Sequence, residues 1–156
     1  MLGTLQPVQI EKVLKDGLVG RIGCHVDGKT YVVPISYAYD GEFIYCHTYE
    51  GQKTAIMRKN PNICFEVEEI KDMANWKTVI LQGEFLEPEE QNERNKAMNS
   101  LLKRYLPIIS SETTHLGKHW PFHSQHETEI DGIVFKIKIN EKYGRFESGE
   151  FPLNRF

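Results

Sequence analysis

The chain has 156 residues, 40% hydrophobic and 26% charged, with a formal net charge of -3. That length suits one domain with a real core, and the composition is ordinary for a soluble globular protein. The slightly acidic balance argues against a dedicated nucleic-acid binder, which carries a basic excess, and no apolar run approaches the roughly 20 residues that span a bilayer.

The opening "MLGTLQPVQIEKVL" lacks the basic-then-apolar layout of a signal peptide. Within it, residues 7–16 place Ile10, Val13 and Leu14 on one helical face, with Gly17 as a stop. The pattern then changes. "LVGRIGCHV" reads as a strand, "TYVVPISYAY" as a second and "EFIYCHT" as a third, joined by the hairpin signals Asp27-Gly28 and Asp40-Gly41. Pro34 interrupts the second strand. Proline cannot donate to a ladder, so it marks an edge, a bulge, or backbone that faces something other than a strand.

A short helix follows at 53–60, ended by Asn60-Pro61. "NICFEVEEI" and the long "NWKTVILQGEFLE" read as the fourth and fifth strands. Pro88 opens a helix, "PEEQNERNKAMNSLLKRYL", acidic early and basic late as the helix dipole favours. Residues 106–130 are irregular and histidine-rich. "GIVFKIKINEKYGRFES" is the sixth strand, with Ile133, Phe135, Ile137 and Ile139 alternating against Val134, Lys136 and Lys138. A mainly β domain with this many strands avoids bare edges by closing into a small Greek-key barrel with flanking helices; an open α+β sheet is the alternative.

Cys24, Cys46 and Cys64 sit far apart in strand-like runs and form no CxxC. They read as small buried hydrophobes, reduced in a cytoplasmic setting. His115, His119 and His123 recur at four-residue spacing, with His126 beyond, a pattern that metal or haem could use. Pro121 breaks the helix such a site needs, so a polar loop or lid is the simpler reading. Trp120 and Phe122 in "HWPFH" are costly to leave exposed and are expected to cover a site or a partner subunit. No catalytic triad, nucleophile elbow or carboxylate pair stands out. If the protein is an enzyme, a cofactor carries the chemistry.

The loop "CHTYEGQK" is the best candidate for binding. A strand feeds Gly51, and Lys53 stands at a helix start, where amides and one ammonium suit a phosphate. There is no GxxxxGK[ST] and no GxGxxG. A solvated surface lysine is the plain alternative, as a hydrogen-bonded loop residue is for His47.

Three stretches in this order, "YVVPISYAYDGEFIYCHTYEGQKTAI", "NPNICFEVEE" and "NWKTVILQGEF", resemble the pyridoxamine 5′-phosphate oxidase-related flavoproteins, the FMN-binding split-barrel proteins, and among them most the nitroimidazole-resistance (Nim) type. The resemblance covers roughly residues 17–88. It implies a six-stranded antiparallel split barrel and a homodimer holding FMN near the subunit interface. It places Pro34, Ile35 and Ser36 beside the isoalloxazine, and Cys46, His47 and Thr48 along the ribityl and phosphate region. Gln52 and Lys53 would hold the phosphate, and Thr78 would bring a polar group to the flavin edge. Trp120 would reach the flavin of its own subunit or of the partner.

Three features depart from the family pattern. The loop from His47 to Lys53 is one residue shorter than is usual in the nitroimidazole type, and Gln52 stands where a basic residue or histidine is common. The vitamin B6 oxidases also end in a Trp- and Arg-bearing segment, where this sequence reads "YGRFESGEFPLNRF". The expected activity is therefore an FMN-dependent oxidoreductase passing hydride or electrons to a small planar acceptor such as a nitroaromatic, with NAD(P)H or a partner protein as donor. A non-catalytic flavin-binding module, or a haem-binding barrel using the His115–His126 segment, are the alternatives.

Overall fold

The computed structural model describes residues 1–109 and 131–149. Trp120, Phe122 and the His115–His126 cluster lie outside the described residues, as does the end of the chain from 150 to 156.

The chain runs β1 (Leu2–Thr4), α1 (Pro7–Asp16), β2 (Val19–Val26), β3 (Lys29–Tyr39), β4 (Phe43–Thr48), α2 (Gln52–Lys59), β5 (Asn62–Asp72), β6 (Asn75–Leu86), α3 (Gln91–Ile109) and β7 (Ile133–Glu147). All strand pairs are antiparallel, in the order β1-β7-β4-β3-β2-β5-β6, and β6 pairs again with β7 from Trp76–Glu147 to Leu86–Lys136. That last pairing closes the sheet. The order β5-β2-β3-β4 is a Greek key, since β5 returns to lie beside β2. The protein is a mainly β barrel with flanking helices.

The strand count is seven rather than six. The extra one is β1, which pairs with the far end of β7, Leu2 opposite Glu147. Its three residues carry no alternation from which a strand could be read. The six expected strands are the ones that close the barrel.

Local chemistry explains the joints. Asp27 (φ 51°) and Gly28 (φ 75°) both take the left-handed conformation, and Val26 pairs with Lys29, so the first hairpin is a two-residue type I′ turn. The second Asp-Gly pair works differently. Pairing closes at Tyr39–Ile44, and the Asp40 carboxylate accepts from the amides of Glu42 and Phe43 at 2.8 and 2.7 Å and from the Tyr45 hydroxyl at 2.7 Å. It is an Asx-type loop built on the side chain rather than a tight turn. α3 starts at Gln91, three residues later than Pro88 suggested, and runs past Pro107 to Ile109.

The barrel interior holds Ile22, Cys24, Tyr37, Ile44, Cys46, Phe65, Val67, Val79, Leu81, Phe135 and Ile137. The helix α1 adds Ile10, Val13 and Leu14 to this core, and α2 adds Ile56 and Met57. Each such side chain contributes roughly 1.5–3 kcal/mol on full burial. Tyr37 meets Phe65 edge to face, with ring centroids 5.3 Å apart. A second apolar layer forms outside the barrel, where Ala97, Met98, Leu101 and Leu102 of α3 cover Ala38, Tyr45 and Val134. None of the described helices is long and apolar enough to cross a membrane.

Candidate functional site

The barrel is split at β3. Its last residues pair with β4, Tyr37 with Cys46 through Tyr39 with Ile44, whereas residues 29–36 pair only with β2 among the described residues. Pro34, opposite Arg21, lies on this one-sided stretch. A residue without an N–H costs nothing there. Alternation sends Pro34 and Ser36 outward to solvent and buries Ile35 in the core at 8% exposure, so Ile35 can offer an outside ligand its backbone and little else.

On the outer face, register aligns Pro34, Arg21, Glu66 and Ile80 in one row across β3, β2, β5 and β6. The neighbouring row is Val32, Gly23, Cys64 and Gln82. These four residues line a shallow groove of about 420 Å³ together with His25, Thr30 and Asn62. Thr78 is also on the outer side, but three strands from β3. Its hydroxyl donates to Glu66 at 2.7 Å, and Glu66 and Glu68 both pair with Arg21, at 3.2 and 2.7 Å. Thr78 and Pro34 are thus linked through Arg21 and Glu66.

Past β4 the chain makes the loop that feeds α2. Cys46 is completely buried, and its thiol faces the core. Thr48 is nearly buried, with its hydroxyl 3.4 Å from the Tyr49 carbonyl. His47 is half-buried. Its ring meets Tyr49 edge-on at 5.4 Å, and Nε2 pairs with the carbonyl of Asp131 just before β7. Burial pushes the imidazole pKa down, the charge of Arg94 adds to this, and the Asp131 carbonyl opposes it. A neutral ring must carry its proton on Nε2 to make that bond. The same nitrogen is then not available to a phosphate. Gly132 (φ 102°) packs so closely that a Cβ would come within 2.7 Å of His47 Nε2.

At the start of α2, Gly51 provides no side-chain cap. Its own amide is taken by Thr54 Oγ1 at 3.0 Å. The first-turn amides of Gln52, Lys53 and Thr54 meet no capping side chain among the described residues. Gln52 is exposed and Lys53 half-buried. Lys53 has no carboxylate partner among the described residues, in contrast to Arg21, Lys77 and Arg58, which are all paired. Its ammonium is felt by two buried thiols, Cys24 on β2 and Cys46 on β4, the strands flanking β3. Burial pushes both thiols up, and Lys53 pulls them partly back. Neither is a ready nucleophile.

The structure therefore sets Lys53, Gln52 and the uncapped amides of α2 together just beyond the end of β4, within electrostatic reach of Cys24 and Cys46, with His47 and Thr48 on the strand leading in. It sets Cys46 and Ile35 apart by turning their side chains inward. It also reveals Arg21, Glu66 and Arg58, which the sequence reading passed over. Their roles depend on cross-strand register and on Arg58 reaching Glu50 and Glu87, contacts that no local pattern signals.

Known proteins share this architecture. A solved FAD-binding protein from Mesorhizobium loti is 28% identical and superposes with a TM-score of 0.72, over 96% of this chain and 98% of that one. A candidate 5-nitroimidazole antibiotic resistance protein from Bacteroides thetaiotaomicron, 17% identical, superposes with a TM-score of 0.69 over 96% and 93% of the two chains. An uncharacterized protein of Rhizobium meliloti (strain 1021) is 34% identical over 79 residues, which is 51% of this chain and 52% of that protein. The chain thus spans about half the length of that curated relative. The family profile described as pyridoxamine 5′-phosphate oxidase matches residues 7–146. The chain belongs to the pyridoxamine 5′-phosphate oxidase family.

Proposed function

We propose that this protein binds a flavin nucleotide, FMN, with its phosphate at the start of α2 and its ring along the one-sided stretch of β3, and that it works as an oxidoreductase on a small planar acceptor such as a nitroaromatic. The observation that carries the reading is Lys53: a half-buried lysine whose ammonium has no carboxylate partner among the described residues, beside uncapped helix amides. That donor set fits a phosphate in charge and in geometry. Membership of the family and the likeness to a FAD-binding protein at 28% identity support a flavin as the attached group.

When bound, the flavin supplies hydride or electron transfer. The chain's own residues bind and orient. Lys53 and the amides of residues 52–54 fix the anionic end. Pro34 and Ser36 present a flat, one-sided strand to the ring, and Arg21 with Glu66 forms the polar floor between them and Thr78. The buried thiols stay protonated, which keeps them out of the chemistry. Exposed Val19 and Val32 border this face, and we assign it to a homodimer contact.

The test is direct. The purified protein should show flavin absorption bands, and mass spectrometry of the released ligand should give FMN. It should then reduce a nitroimidazole or quinone with NAD(P)H or a protein donor. Release of no flavin, with none taken up on reconstitution, contradicts the binding reading. A reducible flavin with no turnover on any such acceptor contradicts the oxidoreductase reading and leaves a binding module.

A further inference from the structure

Glu50 stands immediately before Gly51, the N-cap of α2. Its Oε2 accepts from Arg58 Nη1 at 2.8 Å and lies 3.4 Å from Thr54 Oγ1. Thr54 and Arg58 are one turn apart on the same flank of the helix. Arg58 is itself fixed from below: Nε lies 3.2 Å from both carboxylate oxygens of Glu87, just past β6, and Nη2 lies 2.7 Å from Oε1. The guanidinium is clamped between one carboxylate that anchors it and another that it holds.

A carboxylate next to a helix start has two places to go. It can fold onto the first-turn amides, which attract any anion, or it can be held aside. Here Arg58 holds the Glu50 carboxylate on the Thr54–Arg58 flank and neutralises it. Released, Glu50 would compete for the amides of Gln52, Lys53 and Thr54 and would repel a phosphate approaching them.

We infer that Arg58 is a positioning residue for the phosphate site: it touches no ligand, and it acts by restraining Glu50, a competing anion built into the loop. This inference rests on the reading of the α2 start as the phosphate site.

The experiment compares FMN and riboflavin binding to the full chain freed of flavin, by flavin-fluorescence titration, with folding checked by thermal melting. Arg58→Gln should weaken FMN binding about three- to fivefold, the size of one exposed charge contact at a helix N-terminus, and leave riboflavin unchanged. Adding Glu50→Gln to Arg58→Gln should restore FMN affinity. Arg58→Lys, which keeps the charge, should preserve most of the FMN preference. If Arg58→Gln does not fold, Glu87→Gln, which loosens the clamp, should show a smaller loss of the same kind, again reversed by Glu50→Gln.

Equal losses for both ligands, no loss, or no rescue by Glu50→Gln overturns the inference. Lys53→Ala separates the two levels. A selective FMN loss in Lys53→Ala with none in the Arg58 variant sinks this inference alone, and no selective loss in either sinks the phosphate reading with it.

Discussion

The hydroxyl of Tyr37 donates to the backbone carbonyl of Leu14 at 2.7 Å, tying the last residues of β3 to the last turn of α1 inside the buried core. The bond satisfies a helix-end carbonyl that would otherwise be buried without a partner. Burial pushes the Tyr37 phenol well above its ordinary pKa, so it stays a donor throughout the accessible range. Tyr37→Phe keeps the ring contact with Phe65 and removes only the hydroxyl. It should cost about 1–3 kcal/mol, the penalty for an unsatisfied buried acceptor, and lower the melting temperature by several degrees. An unchanged melting temperature would show that water replaces the hydroxyl there.

The first hairpin offers a cleaner backbone test. A Cβ built on Gly28 meets nothing within 4 Å, yet φ is 75°. Gly28→Ala should therefore destabilise through conformation alone, by about 1–2 kcal/mol. Gly28→Asn should cost less, because asparagine tolerates this region. Equal stability of all three proteins in urea titrations would contradict the type I′ turn.

His47 makes a prediction about pH. Burial lowers its folded pKa, so as pH falls the unfolded chain takes up the proton first. The stability His47 contributes is complete above the ordinary histidine value of about 6.5 and is lost as pH drops from there through the lower folded value. Histidine NMR titration should place His47 below the ordinary histidine value, and His47→Gln should flatten the acid side of the stability curve. A His47 pKa at or above the ordinary histidine value of about 6.5 rules this out.

The proposed dimer is tested by sedimentation at micromolar concentration, which should give the mass of two chains. Replacing Val32, 60% exposed on the outer face, with Lys should shift the equilibrium toward single chains and weaken flavin binding in parallel. A single-chain mass with flavin fully bound contradicts a shared site.

Much of this fold is legible in local pattern. The apolar face of α1 at Ile10, Val13 and Leu14, the Asp27-Gly28 turn and the alternation of β7 each follow from spacing that the sequence carries within a few residues. β4 shows where that logic stops. Ile44, Tyr45 and Cys46 are all buried, because the barrel core takes one face and α3 covers the other. Alternation vanishes, and although Cys46 reads as a buried residue, the pattern does not say which of the two covered faces it takes. β1 escaped notice because its three residues are a strand only by virtue of the open end of β7. At the site, Lys53 could be found from Gly51 and the helix start. Arg58 could not, since its role depends on Glu87, 29 residues away.

Lys53→Ala asks whether the start of α2 holds a flavin phosphate. At neutral pH the FMN phosphate is close to a dianion, whereas riboflavin carries a neutral hydroxyl at that position. A hydrogen bond to a charged group contributes roughly 1.5–3 kcal/mol, so the variant should bind FMN about 10- to 150-fold more weakly, near the low end because Lys53 is only half-buried. Riboflavin affinity, measured in the same fluorescence titrations, should be nearly unchanged. An FMN loss smaller than about threefold, well under one charged hydrogen bond, or an equal loss for riboflavin, would contradict the account.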